Sequence, residues 1–362
     1  MSVTDTFGVK YIGSKASLVG AILGVIDVNL GTPDTLKVID VFTGTTRVGQ
    51  AFRMRGWEVQ SSDLSWASEA YAHAFLIRTQ ESGKRIPALL HQLLDSMPAT
   101  LEPGWITNHY CDVSGVKGGT VRMWKQKNGL KGDYLRNTIA AWEAAGTINH
   151  HEAMILTADL IFGLDRVDNT VGVQQAYLKN WAKRADDDLA VVDMPYPPGS
   201  PAGTHQVGDC MELTYQPADV AYIDPPYSGH SYSTYYHLWD SITRWDKPAV
   251  GLKTNRRLDR VSGSETYDPG MKSLWNYKST ALKALLELCE RLPVKHILIS
   301  YNDESLIPHE DLTKALKDKF GQVRVTRVPY QRNIMAQIGN AELSDTAIKT
   351  KNTELLLWIN KN

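Results

Sequence analysis

The sequence predicts an α/β fold in which a parallel sheet is interrupted by a mostly helical insertion. Two observations carry this prediction. Short β-branched runs alternate with segments of helical apolar spacing over residues 15–79, whereas residues 86–185 contain long helical stretches and no convincing strand. A strand, a helix and a second strand in succession form a parallel βαβ unit with a right-handed crossover.

The N-terminal elements follow from periodicity and turn residues. Residues 15–28 repeat apolar side chains at helical spacing after the pair Gly13-Ser14, which predicts a helix capped by this pair. Residues 36–42, with the sequence LKVIDVF, form a β-branched run that predicts a buried strand. A helix, a strand and a helix are predicted next, at 47–55, 58–61 and 69–79.

The rest of the chain divides into an insertion and a return to the sheet. The insertion includes helical patterns at 134–145 and 152–162, and the proline- and glycine-rich segment 194–203 predicts the linker that ends it. We therefore expect one α/β domain from residues 1–84 and 204–362, with the insertion at 85–203. Further strands are predicted at 220–223, 295–300, 322–328 and 355–359, and further helices at 280–291 and 312–320.

Composition is that of an ordinary globular protein. Of 362 residues, 43% are hydrophobic and 22% are charged, and the formal net charge of −1 does not by itself indicate a nucleic-acid partner. No apolar run reaches the roughly 18 residues of a membrane span, and the N-terminus lacks an apolar signal segment, so we expect a cytoplasmic location. The three cysteines, Cys111, Cys210 and Cys289, show neither zinc-site nor disulfide spacing, and we expect no metal site.

The most informative motif is Asp224-Pro225-Pro226-Tyr227, directly after the predicted strand 220–223. Ligands of open α/β sheets bind at the carboxyl ends of strands, which is where this motif falls. The two prolines fix φ and remove two N–H donors, so rigid carbonyl groups remain as acceptors. An acid, a rigid carbonyl and an aromatic face suit a flat base that carries an amino group.

That combination of groups can activate an exocyclic amine. An exocyclic amine is a poor nucleophile because its lone pair is delocalised into the ring. If Asp224 and the Pro225 carbonyl each accept one N–H hydrogen bond, the nitrogen is drawn toward tetrahedral geometry and can attack. Tyr227 can stack on the base. We therefore predict that Asp224, Pro225, Pro226 and Tyr227 are the catalytic residues.

A second motif, Asp40 to Gly49, follows the predicted strand 36–42. A glycine-containing turn between a strand and a helix lets a cofactor approach the backbone closely. Asp63 lies just past the next predicted strand, where an acid commonly accepts hydrogen bonds from ribose hydroxyls. The pattern predicts a nucleoside-containing cofactor.

Taken in order, these motifs resemble the Dam-like α group of adenine-specific DNA N6-methyltransferases. Tyr11-Ile12-Gly13-Ser14-Lys15 matches the family's first motif, and Asp40-Val41-Phe42-Thr43-Gly44 matches its glycine turn. The family more often has a further glycine where Thr46 stands. Gly208-Asp209-Cys210 resembles the segment beside the cofactor's adenine, and residues 227–246 resemble the type IIS modification methylases of this group.

The resemblance implies a Rossmann-like, S-adenosylmethionine-dependent methyltransferase fold, with the insertion as candidate target-recognition region. It further implies S-adenosyl-L-methionine as cofactor, double-stranded DNA as substrate and a restriction endonuclease as a candidate partner, and we expect a monomer. The cofactor-binding residues that we predict are Tyr11, Lys15, Asp40, Phe42, Gly44, Asp63, Asp209, Cys210 and Asp224.

Two basic stretches are candidates for DNA contact. The favoured one follows the catalytic motif, and the other lies in the insertion. The aromatic and histidine residues between 230 and 237 are consistent either with a packed helix face or with the wall of a base pocket. The predicted DNA-binding residues are Lys253, Arg256, Arg257, Arg260, His230 and Tyr232, and the second stretch comprises Lys125, Lys127 and Lys131.

Three alternatives remain open on the sequence. Methylation of an amine in RNA, or of the cytosine N4 amine, would use the same fold, although those enzymes usually carry Asn or Ser where Asp224 stands. A catalytically silent DNA-binding relative would have no need to keep Tyr11, Lys15, Asp63 and Asp224 together.

Overall fold

The computed structural model describes residues 2–112, 123–174, 176–197, 201–226, 232–251, 255–268, 273–303, 305–331 and 351–361. Seven strands of these ranges form one sheet. They are β1 (Lys37–Asp40), β2 (Glu58–Asp63), β3 (Thr204–Val207), β4 (Ala218–Ile223), β5 (Val294–Asn302), β6 (Val323–Gln331) and β7 (Lys351–Asn360).

The sheet is mixed, in the order β3-β2-β1-β4-β5-β7-β6. The first five strands of this order pair in parallel, and β7 runs antiparallel between β5 and β6. Val38 of β1 lies opposite Val59 of β2 and Val220 of β4, so these three strands end at the same edge. The predicted parallel α/β sheet is confirmed, and the antiparallel end of the sheet is an addition to it.

Helices cover both faces of the sheet and form the insertion. They are α1 (Val19–Leu30), α2 (Arg47–Met54), α3 (Ala67–Ala72), α4 (Ile86–Asp95), α5 (Trp105–Tyr110), α6 (Gln126–Ala144), α7 (His150–Arg166), α8 (Tyr232–Tyr235), α9 (His237–Arg244), α10 (Lys278–Arg291) and α11 (His309–Phe320). A π-helical turn, His73–Ile77, continues α3. No helix in the described ranges is long and apolar enough to cross a membrane.

The central strands are apolar because both of their faces are covered. Val38 and Val220 point to the side of α1 and α2, whereas Ile39 and Ala221 point to the side of α10 and α11, and all four are fully buried. Successive side chains of a strand alternate between faces, so a strand packed on both sides must be apolar throughout. This is why the sequence showed these strands clearly.

The insertion has its own apolar core, which continues onto the α/β domain. Tyr71 and Phe75 near α3 contact Phe162 of α7, with ring centroids 5.8 and 5.5 Å apart. Leu238 and Trp239 of α9 belong to the same cluster. The boundaries 1–84, 85–203 and 204–362 remain a prediction.

Two predicted details of the fold are wrong. The first helix begins at Val19 rather than near residue 15, and its first turn has no side-chain cap, so the pair Gly13-Ser14 is not a helix cap. Gly13 instead has φ +80°, and the chain reaches the helix through a turn that leaves Lys15 outside it. The edge strand β3 was missed because its sequence, THQV, is polar and largely half-exposed.

Candidate functional site

A cavity of about 1280 Å³, its open mouth included, lies at the carboxyl ends of β1, β2 and β4. The fold places every predicted cofactor residue on its wall, together with Pro225, Pro226 and Tyr232. The lining residues predicted from the sequence are Tyr11, Lys15, Asp40, Phe42, Gly44, Asp63, Asp209, Cys210 and Asp224. Tyr227, His230 and Lys253 fall outside the described residues.

Asp40 ends β1 and begins the glycine turn. Its Oδ2 atom accepts a hydrogen bond of 2.7 Å from the Thr43 hydroxyl, and its Oδ1 atom is buried without a hydrogen-bond partner among the described residues. Burial raises the pKa of Asp40 to about 7. Because an unsatisfied buried acceptor is costly, this oxygen beside the cavity is suited to a donor or a cation from a bound ligand.

The turn itself explains how a threonine replaces the family's usual glycine. Thr46 has φ +62°, a left-handed conformation that costs a residue with a Cβ about 1–2 kcal/mol. Its hydroxyl donates to the Thr45 carbonyl at 2.7 Å and accepts from the Gln50 amide at 3.0 Å. These local hydrogen bonds offset part of the strain, so the turn retains its shape.

Asp63 links the end of β2, where it lies, to the glycine turn that follows β1. It accepts a hydrogen bond from the Gly44 N–H at 2.8 Å and another from the Ser65 N–H at 2.8 Å. Burial raises the pKa of Asp63 to about 6, against the effect of these two donors. Above that pH the carboxylate lies ionised at the cavity wall, where it can accept further hydrogen bonds from a bound hydroxyl group.

Tyr11 is held by aromatic rings that follow the catalytic motif. Its ring stacks on Tyr236 with a centroid distance of 4.3 Å and lies 5.6 Å from Tyr232. The Tyr236 hydroxyl also accepts a hydrogen bond of 2.6 Å from the Ile12 N–H. The segment after Asp224 therefore fixes the N-terminal motif, although more than two hundred residues separate them.

Asp224 follows β4 and forms an ion pair with Lys15. The Lys15 ammonium lies 2.8 Å from Asp224 Oδ2 and 3.5 Å from Glu354 Oε1 of β7. Lys15 is 5% exposed and Glu354 is 1% exposed. Ser300 of β5 donates a hydrogen bond to Glu354. One cation thus lies between two carboxylates at the floor of the cavity.

This arrangement brings the pKa of Asp224 to about 7. Burial is the largest cause, the Lys15 charge opposes it, and the Glu354 charge adds to it. The pKa of Lys15 is raised above its ordinary value because Asp224 and Glu354 outweigh its burial. Asp224 can therefore exchange a proton near neutral pH.

Comparison with known proteins agrees with this geometry. Residues 11–294 match the family of D12 class N6 adenine-specific DNA methyltransferases. The chain belongs to this family. The predicted Rossmann-like methyltransferase fold and the predicted family are confirmed.

Individual relatives are modification enzymes. The chain is 30% identical to modification methylase StsI of Streptococcus sanguinis, over 89% of this chain and 48% of that protein. It is 28% identical to type II methyltransferase M.FokI of Planomicrobium okeanokoites, over 89% and 49%, and 29% identical to M.NlaIII of Neisseria lactamica, over 89% and 92%. The chain thus spans about half the length of the first two and nearly all of the third.

The residues of the site that were missed in the sequence include Glu354 and Trp275. Glu354 lies in β7, immediately before its apolar run at 355–359, and an acid next to such a run was the sequence signal that could have marked it. Trp275 lines the cavity and packs edge-on against Phe42 with a centroid distance of 4.9 Å. No local sequence pattern marks Trp275, because Phe42 lies far earlier in the chain and only the fold brings the two rings together.

The basic stretch after the motif is mostly used inside the protein. Arg257 is 2% exposed and forms a bidentate pair with Asp246, at 3.0 and 2.7 Å, and a further bond of 2.9 Å to Asp259. The Arg260 side chain is also buried. A guanidinium that is buried and bound by two carboxylates, as that of Arg257 is, is not presented to phosphate, so the prediction of DNA contact by Arg257 is corrected, whereas DNA contact by Arg260 stays a prediction.

The other candidates differ in position. Lys125 and Lys127 pair with Asp186 and Asp188, at 3.4 and 2.7 Å, but Lys127 remains exposed. His237 is fully buried on α9, where it packs, whereas Tyr232 lines the cavity. The segment therefore serves both as a packed helix face and as a pocket wall.

Proposed function

We propose that this chain transfers a methyl group from S-adenosyl-L-methionine to the N6 amine of adenine at a specific site in double-stranded DNA. The observation that carries the proposal is the position of Asp224 and the two prolines, at the end of β4 and on the wall of the cavity that Tyr11 and Asp63 also line. Family membership supports adenine in DNA over the cytosine amine and RNA.

The residues of the cavity fit the cofactor. Within the described part of the chain Asp40 Oδ1 is a buried acceptor that receives no hydrogen bond, and above a pH of about 6 Asp63 presents an ionised carboxylate at the same wall. Tyr11 and Trp275 add aromatic faces. When bound, the cofactor supplies an electrophilic methyl group on a positively charged sulfur.

The chain's own residues would activate the amine. Asp224 and the Pro225 carbonyl accept its two N–H hydrogen bonds, which localises the nitrogen lone pair. As the nitrogen becomes cationic, the Asp224 carboxylate stabilises it by charge, and a pKa of about 7 lets the carboxylate take the released proton. Lys15 holds Asp224 in one orientation. Extruding the adenine costs a few kcal/mol, on the order of one lost base pair.

The names of the relatives bear on the partners of this chain, because those proteins are modification methylases and type II methyltransferases. We accordingly propose that a restriction endonuclease of the same specificity accompanies this chain and that the chain acts on DNA as a monomer. The insertion is the proposed target-recognition region, because it packs against α9 directly after the catalytic motif.

The test is methyl transfer from labelled S-adenosylmethionine to unmethylated genomic DNA, followed by nucleoside analysis. Label in N6-methyladenine that Asp224→Ala abolishes is the expected result. Asp219→Asn, at the opposite end of the same strand, is the matched control and should retain activity. Label in methylcytosine, or in RNA alone, would replace the substrate, and no transfer to any nucleic acid would overturn the proposal.

A further inference from the structure

A cluster of metal-ligating side chains lies outside the cavity, between α3 and α7. Glu69 is on α3, His73 begins the π-helical turn, and His150 is the first residue of α7. Each offers one ligand atom, and the three atoms lie within 4.8 Å of one another. The sequence does not show this group, because only the fold brings residue 150 next to the i,i+4 pair Glu69 and His73, which spans the end of α3 and the start of the π-helical turn.

The distances suit a small tetrahedral ion. His150 Nε2 lies 3.2 Å from Glu69 Oε1. Zinc bonds of about 2.0–2.1 Å at tetrahedral angles separate two ligand atoms by about 3.3 Å. Glu69 Oε1 and His150 Nε2 are therefore already at about the spacing that zinc requires, and the ligand atom of His73 lies within 4.8 Å of both.

The surrounding hydrogen bonds orient the imidazoles as ligands. His150 Nδ1 lies 2.8 Å from Glu143 Oε1, so that carboxylate can hold a proton on Nδ1, and a metal ion would replace the proton that Nε2 shares with Glu69 Oε1 in the metal-free protein. His73 Nδ1 lies 2.7 Å from His151 Nδ1, and His151 Nε2 lies 3.0 Å from the Ser82 hydroxyl. Carboxylate–histidine–metal relays of this kind are the usual support of bound zinc.

The first helical turn of α7 is also rigid enough to present these side chains. Asn149 and Glu152 form a reciprocal capping box, with bonds of 2.9 and 3.0 Å, which fixes the backbone on both sides of His150. A fixed backbone reduces the conformational entropy that metal binding would otherwise have to overcome.

We propose that Glu69, His73 and His150 bind one zinc ion, with water at the fourth position. Two imidazoles and a carboxylate form a donor set that favours zinc over magnesium or calcium, which prefer oxygen ligands. The ion joins the α/β domain to the insertion. The other end of α7 contacts the segment that carries Tyr11, because Asp165 accepts a hydrogen bond of 3.1 Å from the N–H of the preceding residue, Lys10. A zinc ion at this position departs from the expectation, drawn from the sequence, of no metal site.

The experiment uses untagged, metal-free protein, because an affinity tag of histidines would bind zinc itself. After dialysis against micromolar zinc, elemental analysis should find one zinc ion per chain, and zinc should raise the melting temperature. Cobalt in place of zinc should give the visible absorption of a tetrahedral site. Glu69→Gln and His150→Ala should each lose the metal and the melting shift.

The control is His91→Ala, which removes an exposed histidine paired with Asp95 on α4 and should retain the metal. Zinc binding that persists in both Glu69→Gln and His150→Ala would place the ion elsewhere and overturn the proposal. Wild-type protein that retains no zinc would leave a proton, rather than a metal, between His150 and Glu69, and would also overturn it. Metal content is measured without DNA, so this outcome is independent of methyl transfer.

Discussion

Two clusters of charged side chains in this protein have the same arrangement, in which a buried cation lies between two carboxylates. At the cavity, Lys15 lies between Asp224 and Glu354, and in the loop after α9, Arg257 lies between Asp246 and Asp259. The pKa of Asp224 is raised to about 7, whereas the pKa of Asp259 is lowered by its bonds to Arg257.

The difference comes from solvent and geometry. Asp259 is about a quarter exposed and receives several guanidinium hydrogen bonds, so its ionised form is stabilised. Asp224 lies against a buried cavity floor with a second carboxylate nearby, so its ionised form is costly. The same arrangement of charges therefore favours the ionised form of the acid in the loop, whereas at the cavity it leaves a carboxylate whose pKa is raised.

The largest expected effect is on methyl transfer by Asp224→Asn. The substitution keeps the shape of the side chain but removes the charge that we propose stabilises the cationic amine. We expect kcat to fall by about 10²–10³-fold, the range for loss of one preorganised polar group. Single-turnover methyl transfer measures the loss, and binding of S-adenosylmethionine by calorimetry checks that the cavity is retained. A variant that keeps wild-type kcat would contradict this role of Asp224.

Arg257→Met should act on stability rather than on chemistry. It leaves Asp246 and Asp259 without their cation, and we expect a loss of about 2–3 kcal/mol in the free energy of unfolding, below the value for fully buried pairs because both acids are partly exposed. Urea unfolding measures it. Arg244→Met, which removes a half-exposed partner of the same Asp246, should cost under about 1 kcal/mol. Equal losses would show that burial is not the deciding factor.

Glu354→Gln should shift the pH profile of methyl transfer. Activity of the wild-type chain should rise through a pKa of about 7 as Asp224 ionises. Since the Glu354 charge raises the pKa of Asp224, its removal should move this rise to lower pH. The profile of kcat/KM between pH 5 and 9 measures the shift. A drop in rate with an unmoved profile would indicate a purely structural role for Glu354.

The last prediction concerns how the stability of the fold depends on pH. Burial raises the pKa of Asp40 to about 7 and that of Asp63 to about 6, above their unfolded values near 3.9. The folded chain then binds more protons than the unfolded chain, so the free energy of unfolding should fall as pH rises from about 4 to 7. Urea unfolding at pH 5 and 8 tests this, and Asp40→Asn should make the fall shallower. An unchanged slope would contradict the raised pKa of Asp40.

The strands of the parallel sheet could be predicted because burial on both faces forces an apolar run, as in β4 and β5. The polar edge strand β3 gave no such signal. The motif at Asp224 could be recognised in the sequence because its four residues are consecutive. The basic stretch was misinterpreted because the sequence shows the charge of Arg257 but not its partners.

The sequence by itself determined the alternation of apolar strands and helices, the glycine turn at Asp40 and the motif at Asp224, since each depends on neighbours in the chain. Only the tertiary structure decided that Glu354 shares Lys15 with Asp224, that Arg257 lies inside the protein, and that Glu69 and His150 meet. The physical reason is that charge and ligand geometry depend on distance in space, and these partners come together only when the sheet and the insertion have packed.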